Sequence, residues 1–347
     1  MSEERLEPGL ERYARQILFS EFGVEGQRAL LGARVVLVGV GALGSHIADS
    51  LVRAGVGHLV LADRDYIELN NLQRQALYDE DDIAQGLPKA EAAARKLGRI
   101  NSTVTIEPRV MDVNYSNVEA LVQGADLVLD GTDNFEARYL LNDVCVKHGI
   151  PWVYGGVLGS YGITMTVLPG RTPCLRCLFP EMPPPGTTPT CDVAGILGPV
   201  VKIIGALEAA EALKLLTGRG RLNPGLTTID IWQYHLETVP VVRVEGACPT
   251  CAGRRFDFLE ATGGTKTTTL CGRNAVQVVV PGAPRIELRE LAARLRPVCT
   301  GLFYNEFLLR CSVEGYELTV FPDARAIIKG TQDEALAKTL YARYIGA

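Results

Sequence analysis

The chain has no excess of positive charge: 35 Lys and Arg stand against 40 Asp and Glu, for a formal −5. Nucleic-acid binding, which usually needs a basic face, is therefore not expected. Long apolar runs are also missing. No stretch reaches the ~18 residues that a membrane-spanning helix needs. The opening residues MSEERLEPGLERYARQ are charged and have no apolar centre, so no secretory leader is expected either. Histidine is scarce, and His46, His58, His148 and His235 show no mutual spacing that suggests ligands or a proton relay. These shortages lead to the expectation of a soluble, cytoplasmic protein with neither a membrane nor a nucleic acid as partner. The chain is rich in apolar residues, at 47% of 347, which is enough for a sizeable core and about two domains. Nine cysteines, an odd number in a chain of this size, favour metal binding or thiol chemistry over a disulfide framework.

Strand-like and helix-like segments alternate through the first two-thirds. ARVVLVG reads as a buried strand, and LGSHIADSLVRAG as a helix with Leu43, Ile47 and Leu51 on one face and Gly55 as its stop. HLVLAD, TVTIEPRV, ADLVLD and PWVYGGV read as further strands, with helices KAEAAARKLGRIN and FEARYLLNDVCVKHG between them. This order implies a doubly wound, Rossmann-like α/β fold with a mainly parallel sheet. GSYGITMTVLPG and TTIDIWQYHLETVPVVR then alternate like antiparallel strands and extend that sheet. Between them lie a Pro-, Thr- and Cys-rich loop and a long helix, with Pro199 near its start and Gly218 at its end. The expected division is a main domain over 1–253, a linker over 254–267 and a small α+β domain over 268–347. In the last, VQVVV, EFLLRCSV, YELTVFP and AIIKG read as strands and two segments as helices.

Gly39, Gly41 and Gly44 form a G-x-G-x-x-G between a strand and a helix. Such a turn frees backbone N–H groups and places a helix N-terminus beside a phosphate. The other explanation is tight helix–strand packing through glycine. Asp63 closes the second strand ~20 residues downstream, where an acid can bond ribose hydroxyls, and Asp65 follows it. The same grammar fits a nicotinamide site, but the next residues turn away from it. Asn71, Arg74 and Lys89 supply donors and cations suited to phosphate oxygens and to a leaving pyrophosphate. Asp130, Asp133 and Asn134 lie at the end of the fourth strand, where ligands of parallel sheets sit. A carboxylate there can hold Mg²⁺, while Asp133 or Asn134 can equally cap the following helix.

Cys174 and Cys177 form one C-x-x-C, and Cys248 and Cys251 another. Two such pairs in one chain are the pattern of a tetrahedral structural zinc site. Free thiols or a redox dithiol are the alternatives. Cys191 stands alone in PTCDVAG, either as a loop thiol with a lowered pKa or as an inert small residue. Cys145, Cys271, Cys299 and Cys311 read as core.

GVGALG, LNNLQRQ, GLPKAEAA and GTDN occur in the order and spacing of the ubiquitin-activating-like adenylyltransferases. This group includes the thiamine- and molybdopterin-pathway activators of sulfur carrier proteins. RYARQILFSEFGVEGQRAL also resembles the opening of that family, and the resemblance runs from about Glu11 to Gly253. It implies use of ATP and Mg²⁺ to adenylate the C-terminal carboxylate of a small ubiquitin-fold carrier ending in Gly-Gly. By that resemblance Gly41 lies against the nucleotide, with Gly39, Gly44, Asp65 and Asn134 also around it. Asp63 holds the ribose, Asn71, Arg74 and Lys89 hold phosphates, and Asp133 binds the metal. Arg15 matches an arginine that reaches a neighbouring subunit's site, which implies a homodimer. The four paired cysteines match a zinc site, and Cys191 matches a loop thiol that bonds the activated carrier or assists sulfur transfer. A sulfurtransferase or cysteine desulfurase is an expected further partner.

The C-terminal module does not read as a sulfurtransferase, because large apolar residues follow Cys299. It resembles an extension of thiamine-type members, and docking of the carrier or reinforcement of a dimer are its expected uses. The leading expectation is therefore activation of a thiamine-type sulfur carrier. Activation of a molybdopterin-type carrier or of a ubiquitin-like modifier is the alternative within this chemistry. Two other classes remain: a nicotinamide-dependent oxidoreductase, and a zinc-stabilised binding protein with a degenerate nucleotide site.

Overall fold

The computed structural model describes residues 8–183, 191–243, 246–260, 266–270, 274–280 and 282–346. They form two compact units, the first from 8–183 and 196–260 and the second from 191–195 and 266–346. Cys271 and most of the proline-rich loop lie outside the described residues.

After short helical turns over Glu11–Tyr13 and Ala14–Ile17, the first unit has helix α1 (Gly23–Gly32) and then alternates. Its elements are β1 (Arg34–Val38), α2 (Ala42–Ala54), β2 (His58–Asp63), α3 (Lys89–Ile100), β3 (Thr105–Val110), β4 (Leu127–Asp130), α4 (Phe135–His148) and β5 (Trp152–Leu158). β6 (Tyr161–Val167), α5 (Gly198–Thr217), β7 (Leu226–Asp230) and β8 (His235–Val239) complete it. The strand order is β3-β2-β1-β4-β5-β6-β7-β8. β3 to β5 run parallel, and β6, β7 and β8 are added antiparallel. The doubly wound sheet and its antiparallel extension are thus as expected from the sequence.

Burial explains these elements. Val35, Val36 and Leu37 are inaccessible because β1 is central and covered on both faces, which is why it reads as a continuous apolar run. Leu43, Ile47 and Leu51 recur every four residues on α2 and are all buried, each stabilising the fold by about 2 kcal/mol. Gly55 ends that helix with φ at 91°, a conformation that glycine adopts without steric cost. α5 packs on α2 and β5, and its Val201 and Ile204 are buried. The chain after β2 goes to one side of β1 and β4 lies on the other, so the order of winding reverses between β1 and β4. Ligands of such sheets sit at the carboxyl ends of strands at that point. No described helix is long and apolar enough to cross a membrane.

The first unit continues to Glu260. Phe256 is buried in its core, Phe258 and Leu259 pack against that core, and the Arg254 guanidinium donates to the Val146 carbonyl at 3.1 Å. These contacts occupy residues that the sequence places in the linker.

The second unit contains β9 (Lys266–Leu270), β10 (Ala275–Val279), α6 (Leu288–Leu295), β11 (Thr300–Tyr304), β12 (Leu309–Val313), β13 (Tyr316–Val320), β14 (Ala326–Lys329) and α7 (Glu334–Tyr344). Its sheet is antiparallel, in the order β11-β12-β13-β14-β10-β9. Val276, Val278, Leu318, Val320 and Ile328 meet Leu291, Leu295 and Leu340 in one core, which also takes in Cys311 and, partly, Cys299. β9 and β11 are absent from the sequence reading. Their segments KTTTL and TGLFY do not alternate apolar and polar residues, so only the neighbouring strands reveal them.

One buried group opposes the fold. Glu208 on α5 is inaccessible, and neither carboxyl oxygen has a hydrogen-bond partner among the described residues. Gly155 faces it: a Cβ there would come within 2.0 Å of Oε1. Thr164, directly opposite Gly155 across β5 and β6, has an unpartnered hydroxyl as well. Burial pushes the Glu208 carboxyl well above its ordinary range and the charge of Asp130 adds to this, while Arg138 opposes it. The folded chain therefore keeps this proton to higher pH than the unfolded chain does. Stability must then fall as pH rises above the unfolded value of about 4.3. Glu208→Gln removes that loss. Urea unfolding should show the variant more stable than the parent chain at pH 8, with a smaller difference at pH 5. An equal difference at both would contradict the assignment.

Candidate active site

The end of β1 is held by three glycines. Gly39 has φ at 84°, and its N–H donates to the Ala62 carbonyl at 2.8 Å. A Cβ on Gly44 would lie 1.9 Å from the Gly39 carbonyl oxygen, and one on Gly131 would lie 2.2 Å from that same oxygen. Turn, helix and the end of β4 thus cross with no room for a side chain. Gly41 differs: among the described residues, the only atom within 4 Å of a Cβ there is Nε2 of Gln75, at 3.7 Å. Packing accounts for Gly39 and Gly44 but leaves the space at Gly41 open, at the N-terminus of a 13-residue helix. Unsatisfied N–H groups and the helix dipole favour an anion there.

Hydrogen bonds connect this turn to the sequence-predicted acids and bases. Asp63 Oδ2 accepts from the Val40 N–H and Oδ1 from the Asp65 N–H, both at 2.7 Å. Burial raises the Asp63 carboxyl, with Lys89 opposing and Asp65 reinforcing the shift. Asp65 in turn meets the buried Lys89 ammonium at 3.1 Å. The Lys89 backbone N–H donates to the Asp65 carbonyl at 2.9 Å, so α3 begins against the end of β2. Arg74 is half-buried; its guanidinium donates to the Asn70 carbonyl at 2.8 Å, and its own carbonyl lies 3.3 Å from His46 Nε2 on α2. Asn71 is buried and works in the loop, accepting from the Glu68 N–H at 3.1 Å and donating to the Asn70 side chain at 3.0 Å.

The acids after β4 divide by role. Asp130 is inaccessible and anchored by three bonds: Oδ1 accepts from the Thr132 N–H and hydroxyl at 2.8 and 2.6 Å, and Oδ2 accepts from Arg138 at 3.3 Å. Asn134 is the cap of α4, accepting from the Ala137 N–H at 2.8 Å. Asp133 is exposed, with no hydrogen bond or ion pair among the described residues, and so has a free carboxylate to offer. Arg15 is also exposed and makes no such bond among the described residues.

Two residues of this region do not stand out in the sequence. The buried Tyr78 hydroxyl donates to the Val40 carbonyl at 2.6 Å and bolts the glycine turn from the far side. The buried Arg138 donates to the Thr132 carbonyl at 2.8 Å and fixes the turn that presents Asp133. Neither belongs to a spaced motif, because each partner is remote in sequence or is a backbone atom.

Away from the turn, Cys174, Cys177, Cys248 and Cys251 converge. Their sulfurs all lie within 4.8 Å of one another, with Cys174–Cys248 and Cys177–Cys251 at 3.5 Å. These distances exceed a disulfide bond of about 2.05 Å. They approximate the ~3.8 Å edge of a tetrahedron whose metal–sulfur bonds are about 2.3 Å. Each pair sits on a tight turn: the Cys177 N–H donates to the Cys174 carbonyl at 3.0 Å, and the Gly253 N–H to the Cys248 carbonyl at 3.0 Å. Asp143 clamps the second turn, accepting from the Thr250 hydroxyl at 2.9 Å and the Phe258 N–H at 3.0 Å. Cys145 is buried on α4 as core. Cys191 opens a four-residue helix, and its side chain lies outside the described residues.

Comparison with known proteins agrees with this geometry. Residues 13–250 match the ThiF family. The chain is 45% identical to the sulfur carrier protein ThiS adenylyltransferase of Bacillus subtilis (strain 168), covering 96% of this chain and 99% of that one. It is 45% identical to the SAMP-activating enzyme E1 of Haloferax volcanii, over 72% of this chain and 92% of that one. Among solved structures it resembles E. coli MccB with ATP, at a TM-score of 0.61 and 26% identity over 70% of this chain and 75% of that one.

The glycines give a stability test. Alanine is better than glycine inside a helix by about 1 kcal/mol, but at position 44 its Cβ meets backbone that cannot rotate away. Gly44→Ala should therefore lose about 2 kcal/mol in urea unfolding, whereas Gly41→Ala should leave the midpoint unchanged. Equal effects at the two positions would contradict this division of labour.

Proposed function

Because the chain belongs to the ThiF family, we propose that it adenylates the C-terminal carboxylate of a small ubiquitin-fold sulfur carrier ending in Gly-Gly, with ATP as donor. The observation that carries the reading is the open Gly41 at the α2 N-terminus, next to Val40, which is linked through Asp63 and Asp65 to a buried lysine. The nucleotide sits over Gly41 with its phosphates toward Arg74 and Lys89 and its ribose toward Asp63. The carrier carboxylate attacks the α-phosphorus, the bond to the bridging oxygen breaks, and pyrophosphate leaves. The attacking group is already an anion, so no protein nucleophile or general base is required. Catalysis consists of positioning and of stabilising charge on the phosphates. Asp133 has the free carboxylate to hold Mg²⁺, which neutralises phosphate charge when bound. Arg15, exposed and without a bond, suits an arginine that completes a second copy's site in a homodimer.

The carrier is of the thiamine type. The likeness to the Bacillus ThiS adenylyltransferase extends over both units, whereas that to the Haloferax enzyme covers 72% of this chain. That Haloferax relative's name keeps activation of a protein modifier as the second reading. The four-cysteine cluster holds structural Zn²⁺, which ties residues 174–177 to residues 248–251 and suits a reducing cytoplasm. Cys191 is the thiol that bonds the activated carrier or assists sulfur transfer.

ATP–pyrophosphate exchange should depend on a thiamine-type carrier ending in Gly-Gly and vanish when its last glycine is removed. Exchange with no such carrier would overturn the reading. Cys191→Ala should leave exchange intact, and collapse of exchange would show that this loop serves adenylation itself. Metal analysis should find about one zinc per chain. Cys174→Ser should lose it and lower the melting temperature, and an unchanged metal content would refute the zinc centre.

A further inference from the structure

The sequence gives His46 no role, yet the structure gives it a specific bond. It stands half-buried on α2, with Nε2 at 3.3 Å from the Arg74 carbonyl oxygen. A carbonyl oxygen only accepts, so Nε2 carries the proton. Burial holds the imidazole below its ordinary pKa; the bond to Arg74 opposes this, Lys202 reinforces it and Asp49 opposes it. At pH 8 the ring is therefore neutral, and its single proton sits on the nitrogen that faces Arg74.

The neighbouring residue grips the same stretch of chain. Ser45 is buried, and its hydroxyl accepts from the Ala76 N–H at 3.2 Å. Two adjacent residues of α2 thus hold the backbone on either side of Gln75, one as acceptor and the other as donor. α5 meets this stretch as well: a Cβ on Gly198 would lie 3.1 Å from the Gln73 carbonyl oxygen. Where α5 crosses α2, a Cβ on Gly205 would lie 3.0 Å from the His46 Cβ. The ring therefore reaches Arg74 from a backbone packed against α5. Packing alone does not call for the N–H, since a phenylalanine ring would occupy a similar volume there. α2 begins beside Gly41, where the anion site is open, and a helix is stiff over so short a distance. A bond from α2 to the Arg74 main chain sets the spacing between that site and its arginine.

We infer that His46 is a positioning residue: its Nε2–H holds the Arg74 main chain so that the guanidinium meets the phosphates of a nucleotide bound at the α2 N-terminus. The inference rests on the adenylation reading and adds to it a residue that touches no substrate. Its effect is preorganisation. The backbone of Arg74 is placed before ATP arrives, so less ordering is lost on binding.

The test is calorimetric titration of the full chain with Mg·ATP, beside thermal unfolding without nucleotide. His46→Phe keeps a ring and removes the donor. It should weaken ATP binding about fivefold, as expected for the loss of one neutral hydrogen bond, and melt where the parent chain does. His46→Gln carries an amide N–H near the place of Nε2 and should bind ATP within about twofold of the parent chain. Arg74→Ala should weaken binding more than His46→Phe does. The double variant should be no weaker than Arg74→Ala, because a residue that acts through Arg74 then has nothing to position. Parent-like affinity in His46→Phe would overturn the inference. So would a glutamine variant as weak as the phenylalanine one, losses that add in the double variant, or a His46→Phe chain that no longer folds, each the behaviour of a packing residue. A parent chain that fails to bind ATP defeats the adenylation reading itself, and that titration is read before any variant.

Discussion

The approach of Gly39, Gly44 and Gly131 is the constraint on which the site depends. A single carbonyl oxygen, that of Gly39, lies where Cβ atoms on either of the other two glycines would have to go. Because no side chain intervenes, the first turn of α2 and the end of β4 close on the same point. That closure places the α2 N-terminus at the position where the winding of the sheet reverses. It also puts the turn bearing Asp133 beside the turn bearing Gly41. Moving any of the three backbones apart would displace the helix dipole, the acids and the lysine together, since hydrogen bonds chain them to the same turn.

The electrostatics follow from this geometry. Asp63 is a buried acid whose two oxygens already accept backbone N–H groups from Val40 and Asp65. A carboxylate offers about four acceptor positions, so it can hold the turn and still meet ribose hydroxyls. Asp130 is also buried, and its three bonds from Thr132 and Arg138 tie it into the loop. Of the two acids on the strands that flank β1, one therefore holds the glycine turn and the other supports the loop beside it. Glu208 belongs to neither group and remains a cost to stability at high pH.

Much of this was legible in the sequence, for physical reasons. Parallel strands buried on both faces leave apolar runs, so β1, β2 and β4 could be read directly. α2 showed its buried face through Leu43, Ile47 and Leu51 and its end through Gly55. The two C-x-x-C pairs, with 70 residues between them, carry the spacing of a four-cysteine site, and their sulfurs do meet. What could not be read was the division of roles among like residues. Three glycines in one motif look equivalent until packing separates Gly41 from Gly39 and Gly44. Asp130, Asp133 and Asn134 are consecutive candidates, and only hydrogen bonds identify one as a loop anchor, one as free and one as a helix cap. β9 escaped because KTTTL carries no alternation, and its pairing with β10 is a tertiary property.

The central claim is that this turn holds ATP for transfer of its adenylyl group to a protein carboxylate. Intact-protein mass spectrometry of a Gly-Gly-ended carrier, incubated with the chain and Mg·ATP without a sulfur donor, tests it most directly. The carrier should gain the mass of one adenylyl group (AMP less one water), and a carrier lacking its final glycine should gain nothing. An unchanged mass for thiamine-type, molybdopterin-type and modifier-type partners alike, with ATP left intact, would contradict the claim.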